Sequence, residues 1–516
     1  MASSAKHAHS RFPNATSTTP HWRTQIHDLD EFRSSETVPS IVDVAIIGGG
    51  LAGASTAYHL LAGVGTENPT KAAPSIAIFE ARQACSGATG RNGGHTKQAP
   101  LAVAKFASKH GPRAGLDFAL FLGELMRKMR ACAESIFITD SLDDEKGSGS
   151  SSSKTVAHEC EMLRTRSWDV IIDEQQAADV EKEWSQTVAA MKAAAKEDGR
   201  ERDLQWLGDV QFLKGEIVEQ VTSIRGAKAA LSCPAISLWP YKFVMGLLQH
   251  VIRLGVELYT LTPVTKIERV SEEEAGQNIS ASSTNGFTAL HTPRGITLAR
   301  KVVFASNAYA ANLLPQFQNT IVPVRGTACR IVRSTSTSSS ATAPAPNYAR
   351  LINTYNIYGS PTSREYLVPR PDGSIILGGG QPLYRDDKSV WYDMVDDGSL
   401  IEGVRERWFE GYMGKYFHGW DPEGKDEKID RIWTGIMGVT EDSLPHVGLV
   451  PGESDHFILA GFNGGGMSNI FLIARGIARM VRDEISYEET GLLGLFKSVP
   501  ERIQENSLGA NARLFN

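Results

Sequence analysis

The sequence predicts an α/β protein in two parts: a doubly wound, mainly parallel sheet assembled from separated stretches, and an inserted α+β part built on an antiparallel sheet. Three observations carry this. The apolar run Ile41 to Ile47 leads into the turn Gly48-Gly49-Gly50-Leu51-Ala52-Gly53 and then a small-residue helix, Leu51 to Leu61. A second strand, glycine turn and helix stand near the other end, at His456 to Gly461, Phe462 to Met467 and Ser468 to Val481. Between them, Val322 to Val332 and Tyr366 to Leu377 alternate as strands of an antiparallel sheet do, and Asp372-Gly373 is a hairpin-turn signal.

Each glycine of the first turn has a physical task. Gly48 permits the tight turn, Gly50 lets backbone N–H groups approach a pyrophosphate, and Gly53 lets the helix pack close to the strand. The phosphate then sits on the helix N-terminus, where unpaired N–H groups and the dipole favour negative charge. The strand Ser75 to Phe79 ends on Glu80, the expected partner of a ribose hydroxyl, with the polar connector Gly63 to Pro74 lengthening the usual spacing. Cys85 to His95 follows, eleven residues almost without bulk, which lets backbone approach a flat or charged ligand. Arg91 is suited to pair with phosphate and Asn92 to bond a ring. A simple nicotinamide unit has no use for this second glycine loop, whereas a long flavin dinucleotide does. The discontinuous parallel part is therefore read as a Rossmann-like FAD-binding domain.

Residues 101 to about 200 read as mainly helical, with Leu116 to Cys132 and Gln175 to Ala195 carrying helical periodicity around a Ser/Gly-rich insertion at Asp143 to Ser153. Tyr241 to Leu254 is a helix, Val256 to Tyr259 a strand, and Pro263 to Ile267 returns the chain to the parallel sheet. Arg300 to Ala308 is a further strand ending in small residues, and Ser334 to Pro346 is a low-complexity insertion. The expected division is a flexible tail over 1–40, the FAD-binding domain over 41–106, a helical region over 107–205, and a second FAD-binding part over 206–310. A substrate domain over 311–432, a third FAD-binding part over 433–500 and a C-terminal tail over 501–516 complete it.

The 516 residues are long enough for two or more domains, and a net charge of −6 with interspersed signs gives no nucleic-acid surface. No apolar run reaches the length of a membrane span. Five scattered cysteines without a C-x-x-C pair argue for reduced thiols and a cytoplasmic location, with no metal site expected.

Taken in order, Gly48-x-Gly50-x-x-Gly53, Glu80-x-Arg82, Ser86 to Gly94, Pro323-Val324-Arg325-Gly326, Asp372-Gly373 and Gly464-Gly465-Gly466-Met467 resemble the FAD-dependent D-amino-acid oxidase, glycine oxidase and sarcosine oxidase superfamily. The version Thr89-Gly90-Arg91-Asn92-Gly93-Gly94 is most similar to the branch of γ-glutamylputrescine oxidoreductase and uncharacterised fungal members. The resemblance spans about residues 41 to 485. It implies a glutathione-reductase type FAD domain, with Gly48, Gly50, Gly53, Glu80, Arg82, Thr89, Arg91, Asn92, the backbone of Val264, and Gly464, Gly465, Gly466 and Met467 holding FAD. Some relatives tether the flavin to a cysteine near the stretch matching Trp433 to Asp442, which has none here. Others use a histidine near the loop matching Arg91 to His95, so His95 is a possible anchor, although noncovalent FAD is the expectation.

The reaction so implied is oxidation of an amine or amino-acid C–N bond. Hydride passes to flavin N5, the imine is hydrolysed, and the flavin is reoxidised by O₂ to give H₂O₂ or by another acceptor. The lysine that often assists O₂ in relatives is missing from Ser374 to Leu377, leaving Lys97 as the candidate. For a carboxylated substrate Arg325 and Tyr366 are the nominated anchors, since guanidinium binds carboxylate bidentately. Two alternatives share the first turn. An NAD(P)H-dependent FAD monooxygenase should carry a late Gly-Asp-Ala-type segment, which Glu441 to Pro445 does not resemble, and a noncatalytic flavin-binding protein should lack a reducible flavin.

Overall fold

The computed structural model describes residues 12–62, 73–138, 154–271, 286–334, 351–360 and 362–507. The Asp143 to Ser153 insertion, most of the 63–74 connector and nearly all of the 334–346 insertion lie outside these residues.

Two sheets organise the chain. In the first, the order is Lys266–Val270, Phe287–Thr292, Gly295–Phe304, Ile41–Ile47, Ile76–Phe79 and Glu257–Tyr259. Ile41–Ile47 lies centrally and runs parallel to both Gly295–Phe304 and Ile76–Phe79. His456–Ala460 joins Gly295–Phe304 in parallel and carries His446–Leu449 on its other side. The central strand is buried on both faces: helices cover one, where Leu51–Leu61 packs on Ile470–Asp483 and Pro240–Arg253 packs on Leu51–Leu61, and on the other Ala45 and Ile47 join a core cluster with Leu314 and Phe317.

The second sheet runs Glu427–Val439, Val322–Arg333, Ile375–Gly379, Ser363–Pro369, Thr354–Ser360, Leu163–Ile171, Ala229–Ser237 and His95–Lys97, with Gln211–Lys214 also on Ala229–Ser237. The Asp372-Gly373 turn does close a hairpin, Gly373 adopting φ +83°. Pairing is antiparallel except between Thr354–Ser360 and Leu163–Ile171.

Several sequence expectations change. The 107–205 stretch holds the helices Pro112–Ser135 and Glu174–Glu197, yet Leu163–Ile171 between them is a nine-residue strand of the second sheet. Its pattern was hidden because Ser167 and Asp169, both buried, interrupt the apolar alternation. Glu427–Val439 is continuous in the second sheet, so residues 433–439 belong with the antiparallel part rather than with the final parallel-sheet stretch. Residues 501–507 are helical within Pro500–Ser507, where Arg502 bonds Asp442 at 2.9 Å, instead of tail.

The largest correction is at the N-terminus. Of the tail expected over 1–40, residues 12–40 are described, and part of them is packed into the protein. Trp22 is fully buried, His21, Leu29 and Asp30 are buried with it, and short 3₁₀ turns occupy His21–Arg23 and Asp28–Glu31. The Ser/Thr/His-rich composition concealed a single tryptophan whose ring supplies the apolar area that anchors the segment.

Candidate active site

The first glycine turn is fixed by close backbone approach. Gly48 has φ +121°, and a Cβ there would lie 2.7 Å from the Ala305 carbonyl oxygen on the neighbouring strand. A Cβ on Gly53 would lie 1.9 Å from the Gly48 carbonyl oxygen, so the helix crosses the turn at a distance only glycine allows. Gly50 caps the helix in an extended conformation, and the Leu51 N–H donates to Thr89 Oγ1 at 3.1 Å. Thr89 is thus brought onto the helix N-terminus. Glu80 stands at the strand end beside the turn and accepts the N–H groups of Gly49 at 2.8 Å and Arg82 at 2.9 Å. The segment leading to Val264 is tied to the same strand end, Thr262 N–H donating to Glu80 O and Leu261 N–H to Arg82 O. Val264 itself is buried in the core with Phe79 and Tyr259.

The second glycine turn comes up to the other end of the loop. Gly464 adopts φ +76°, and a Cβ there would meet the Met437 sulfur at 3.5 Å. Gly465 precedes the 3₁₀ turn Gly466–Ser468, which contains Met467, and Ser468 Oγ lies 2.9 Å from Thr96 Oγ1. The turn that opens Ile470–Asp483 therefore sits against His95–Lys97.

Three nominated side chains are held by protein partners. Arg82 forms a bidentate pair with Asp397 at 2.9 and 3.0 Å. Arg91 is committed to Ser86 O, Thr18 O, Thr18 Oγ1 and Thr434 O, with Asp397 at 3.3 Å. Burial pulls Arg91 down to about 10, where it still carries its charge at neutral pH. Asn92 closes its own turn, donating to Thr89 O at 2.9 Å and accepting Gly94 N–H at 2.7 Å. The guanidiniums and the amide thus shape the loop through protein acceptors. The reason is Asp397, a carboxylate 1% exposed that needs both cations.

Orphaned polar atoms mark where a ligand belongs. Ser86 Oγ, Ser306 Oγ, Tyr309 Oη, His95 Nδ1 and Asn469 Oδ1 are buried without a hydrogen-bond partner. Ser306 follows the strand packed on Gly48, and Tyr309 is subject to the charges of Arg82, Asp397, Arg91 and Glu80. Buried polar atoms ordinarily find partners, so orphans along both glycine turns and the loop between them fit an extended ligand with phosphate and ring ends. Tyr309 and Asp397 carry no signal in the sequence, whereas Ser306 lies in the small-residue end of Arg300 to Ala308, a stretch suited to lie under the cofactor.

This is the arrangement that a long dinucleotide needs, and a family match agrees with it. The family model described as FAD dependent oxidoreductase matches residues 43–480. The chain belongs to that family. Its relatives include glycine oxidase of Bacillus subtilis (strain 168), 22% identical over 87% of this chain and 94% of that one. Another is gamma-glutamylputrescine oxidoreductase of Escherichia coli (strain K12), 23% identical over 86% of this chain and 84% of that one. Glycine oxidase from Geobacillus kaustophilus shares the fold with TM-score 0.61 and 20% identity, covering 90% of this chain and 99% of that one. L-proline dehydrogenase from P. horikoshii does so with TM-score 0.56 and 17% identity, covering 87% and 95%. As an FAD dependent oxidoreductase, the protein has in the glycine turns and the orphaned polar atoms beside them a candidate cofactor cradle.

The antiparallel sheet turns one face to this cradle. Tyr366 pairs with Gly378, which pairs with Ala328, so all three share a face. A Cβ on Gly93 would lie 2.6 Å from the Tyr366 ring, and His95 and Tyr366 have ring centroids 6.0 Å apart. His95 is neutral, burial and the Lys97 ammonium lowering its pKa to about 3. Arg325 stands three residues from Ala328 on one unbulged stretch of strand, which puts it on the opposite face. There its guanidinium donates to Val390 O at 2.8 Å and Ser399 Oγ at 2.8 Å, and pairs with Asp396 at 3.3 Å. The nominated pair is therefore not brought together: Tyr366 faces the cradle and Arg325 is a structural cation. Lys97 is likewise paired, with Asp169 at 2.7 Å and Ser167 at 3.0 Å in the interior, which removes it as a free ammonium beside the flavin loop.

Glu365 shares the far face with Arg325, and its carboxylate oxygens accept Ser363 Oγ at 2.9 and 3.1 Å. Burial pushes its carboxyl up from 4.5 to about 7. Between those values the folded state keeps a proton that the unfolded chain has released. Stability is accordingly expected to fall as pH rises through this window, by at most about 1.4 kcal/mol per pH unit, and to level off above it. Chemical-denaturation midpoints for the protein and Glu365→Gln across pH 4.5 to 8 check this; the variant should lose that part of the slope.

Proposed function

We propose that the protein oxidises the C–N bond of an amine or amino acid. The observation that carries this is the packing of Tyr366 on Gly93 and beside His95, which sets one face of the antiparallel sheet against the glycine loop of an FAD dependent oxidoreductase. Relatives named for glycine and for gamma-glutamylputrescine support the donor class. When bound, FAD supplies the hydride acceptor for the carbon next to the substrate nitrogen, and water hydrolyses the resulting imine.

The chain's own residues hold and exclude. The Tyr366 ring and the neutral His95 wall the reacting carbon from water, and the Gly464 to Met467 turn with the N-terminus of Ile470–Asp483 would favour the negative charge of a reduced flavin. No side-chain base is required in this reading, FAD is held noncovalently, and Arg325 plays no part in carboxylate binding. The test is anaerobic bleaching of the flavin absorbance by a panel of D-amino acids, N-methyl amino acids, cyclic imino acids and polyamine derivatives. Bleaching by a subset of amines is expected. Bleaching by NADPH or NADH with no response to any amine would move the assignment to a monooxygenase.

A further inference from the structure

The loop Cys85 to His95 contains four glycines and little side-chain mass, so its backbone carries more freedom to lose than other segments. What immobilises it comes largely from residues that precede the first strand. The Trp22 indole donates to the Asn92 carbonyl at 2.5 Å, and the Trp22 carbonyl accepts the Trp239 indole at 2.6 Å. A Cβ on Gly94, whose φ is +74°, would stand 2.7 Å from the Trp22 ring. The Arg370 guanidinium lies 5.1 Å from the centre of that ring, on its way to Glu161.

The same segment closes over the paired arginines. Thr18 Oγ1 accepts from Arg91 at 3.0 Å and from the Thr434 N–H at 3.1 Å, while the Thr18 carbonyl accepts from Arg91 at 2.8 Å. Asn14 O accepts from Arg82 at 3.2 Å. Further along, Arg23 pairs with Asp30 at 2.6 Å, and Asp30 also accepts the Tyr241 hydroxyl at 2.8 Å.

We propose that residues 14–30 are a working part of the cofactor site, with Trp22 as the positioning residue that fixes the Asn92 to Gly94 backbone on which FAD depends. A segment that only covered the surface would have little reason to spend a fully buried indole N–H on a carbonyl of this loop. The inference rests on the family's use of FAD and not on which substrate is oxidised.

Two variants test it by measuring FAD itself. Trp22→Phe keeps the ring packing and removes the bond to Asn92 O; Trp22→Ala removes both. FAD would be titrated into each apoprotein by flavin-fluorescence quenching, with visible circular dichroism of the holoproteins as a report of ring setting. Trp22→Phe is expected to raise the FAD dissociation constant about tenfold, as for a buried acceptor left unpaired, and Trp22→Ala by still more, with an altered dichroism band in both. If Trp22→Ala fails to fold, Trp22→Phe and Thr18→Val, which deprives Arg91 of an acceptor, answer the question. Wild-type FAD affinity and dichroism in the folded variants, even with lowered melting temperature, would overturn the proposal and leave the segment a structural cover.

Discussion

Gly53→Ala is expected to yield protein that purifies without FAD and melts well below the parent. The added methyl would fall 1.9 Å from a backbone oxygen, at Gly48, and 3.2 Å from Ile46 Cγ2. The nearer neighbour is backbone and cannot rotate away. Gly48 is itself held at φ +121° against Ala305, so the turn has no free side into which to relax. Overpacking of this kind costs about 1–3 kcal/mol where side chains can adjust, and more where backbone must move. Gly50→Ala is the informative contrast: its Cβ would meet the Thr89 hydroxyl at 3.2 Å, an atom that can turn aside. That variant should fold normally and lose FAD affinity alone. The ratio of flavin to protein absorbance, read beside the thermal midpoint, separates the two.

Asp397→Asn is the second large effect, and it acts through charge. Asp397 neutralises Arg82 and lies 3.3 Å from Arg91, and the three side chains are 7% exposed or less. Asparagine keeps the volume and leaves two buried guanidiniums without their carboxylate. Breaking a buried ion pair from one side costs about 3–5 kcal/mol, so the thermal midpoint should drop markedly and FAD loading with it. Arg82→Met in the Asp397→Asn background is expected to recover part of the loss, because one of the stranded charges is then gone. A double-mutant cycle on thermal stability measures that coupling.

These two effects show what a sequence reading reaches. The turn geometry of Gly48, Gly50 and Gly53 was legible because it is set within one strand, turn and helix, where spacing alone dictates it. Asp397 was not, because its partner Arg82 is 315 positions away and an aspartate in a polar stretch reads as solvated. The same limit hid Trp22, whose bond to Asn92 spans 70 positions. Arg325 and Tyr366 were both rightly placed on strands of the second sheet. That one faces the cradle and the other faces away follows only from register, Ala328 lying opposite Gly378 and Gly378 opposite Tyr366. Leu163–Ile171 escaped notice for a related reason: Asp169 looks wrong for an interior strand until Lys97 is seen to reach it.

The division of the sheet into a working face and a structural face is the claim on which the functional account depends. It is tested most directly by the rate of anaerobic flavin reduction with the amine that bleaches the protein best, compared among the parent, Tyr366→Ala and Arg325→Leu, all loaded with FAD. The account predicts that Tyr366→Ala slows reduction at saturating amine by about a hundredfold or more, as misplacement of a reacting carbon does. It predicts that Arg325→Leu reduces at the parental rate with unchanged amine affinity while melting at a lower temperature. A parental rate in Tyr366→Ala together with lost amine affinity in Arg325→Leu would contradict it.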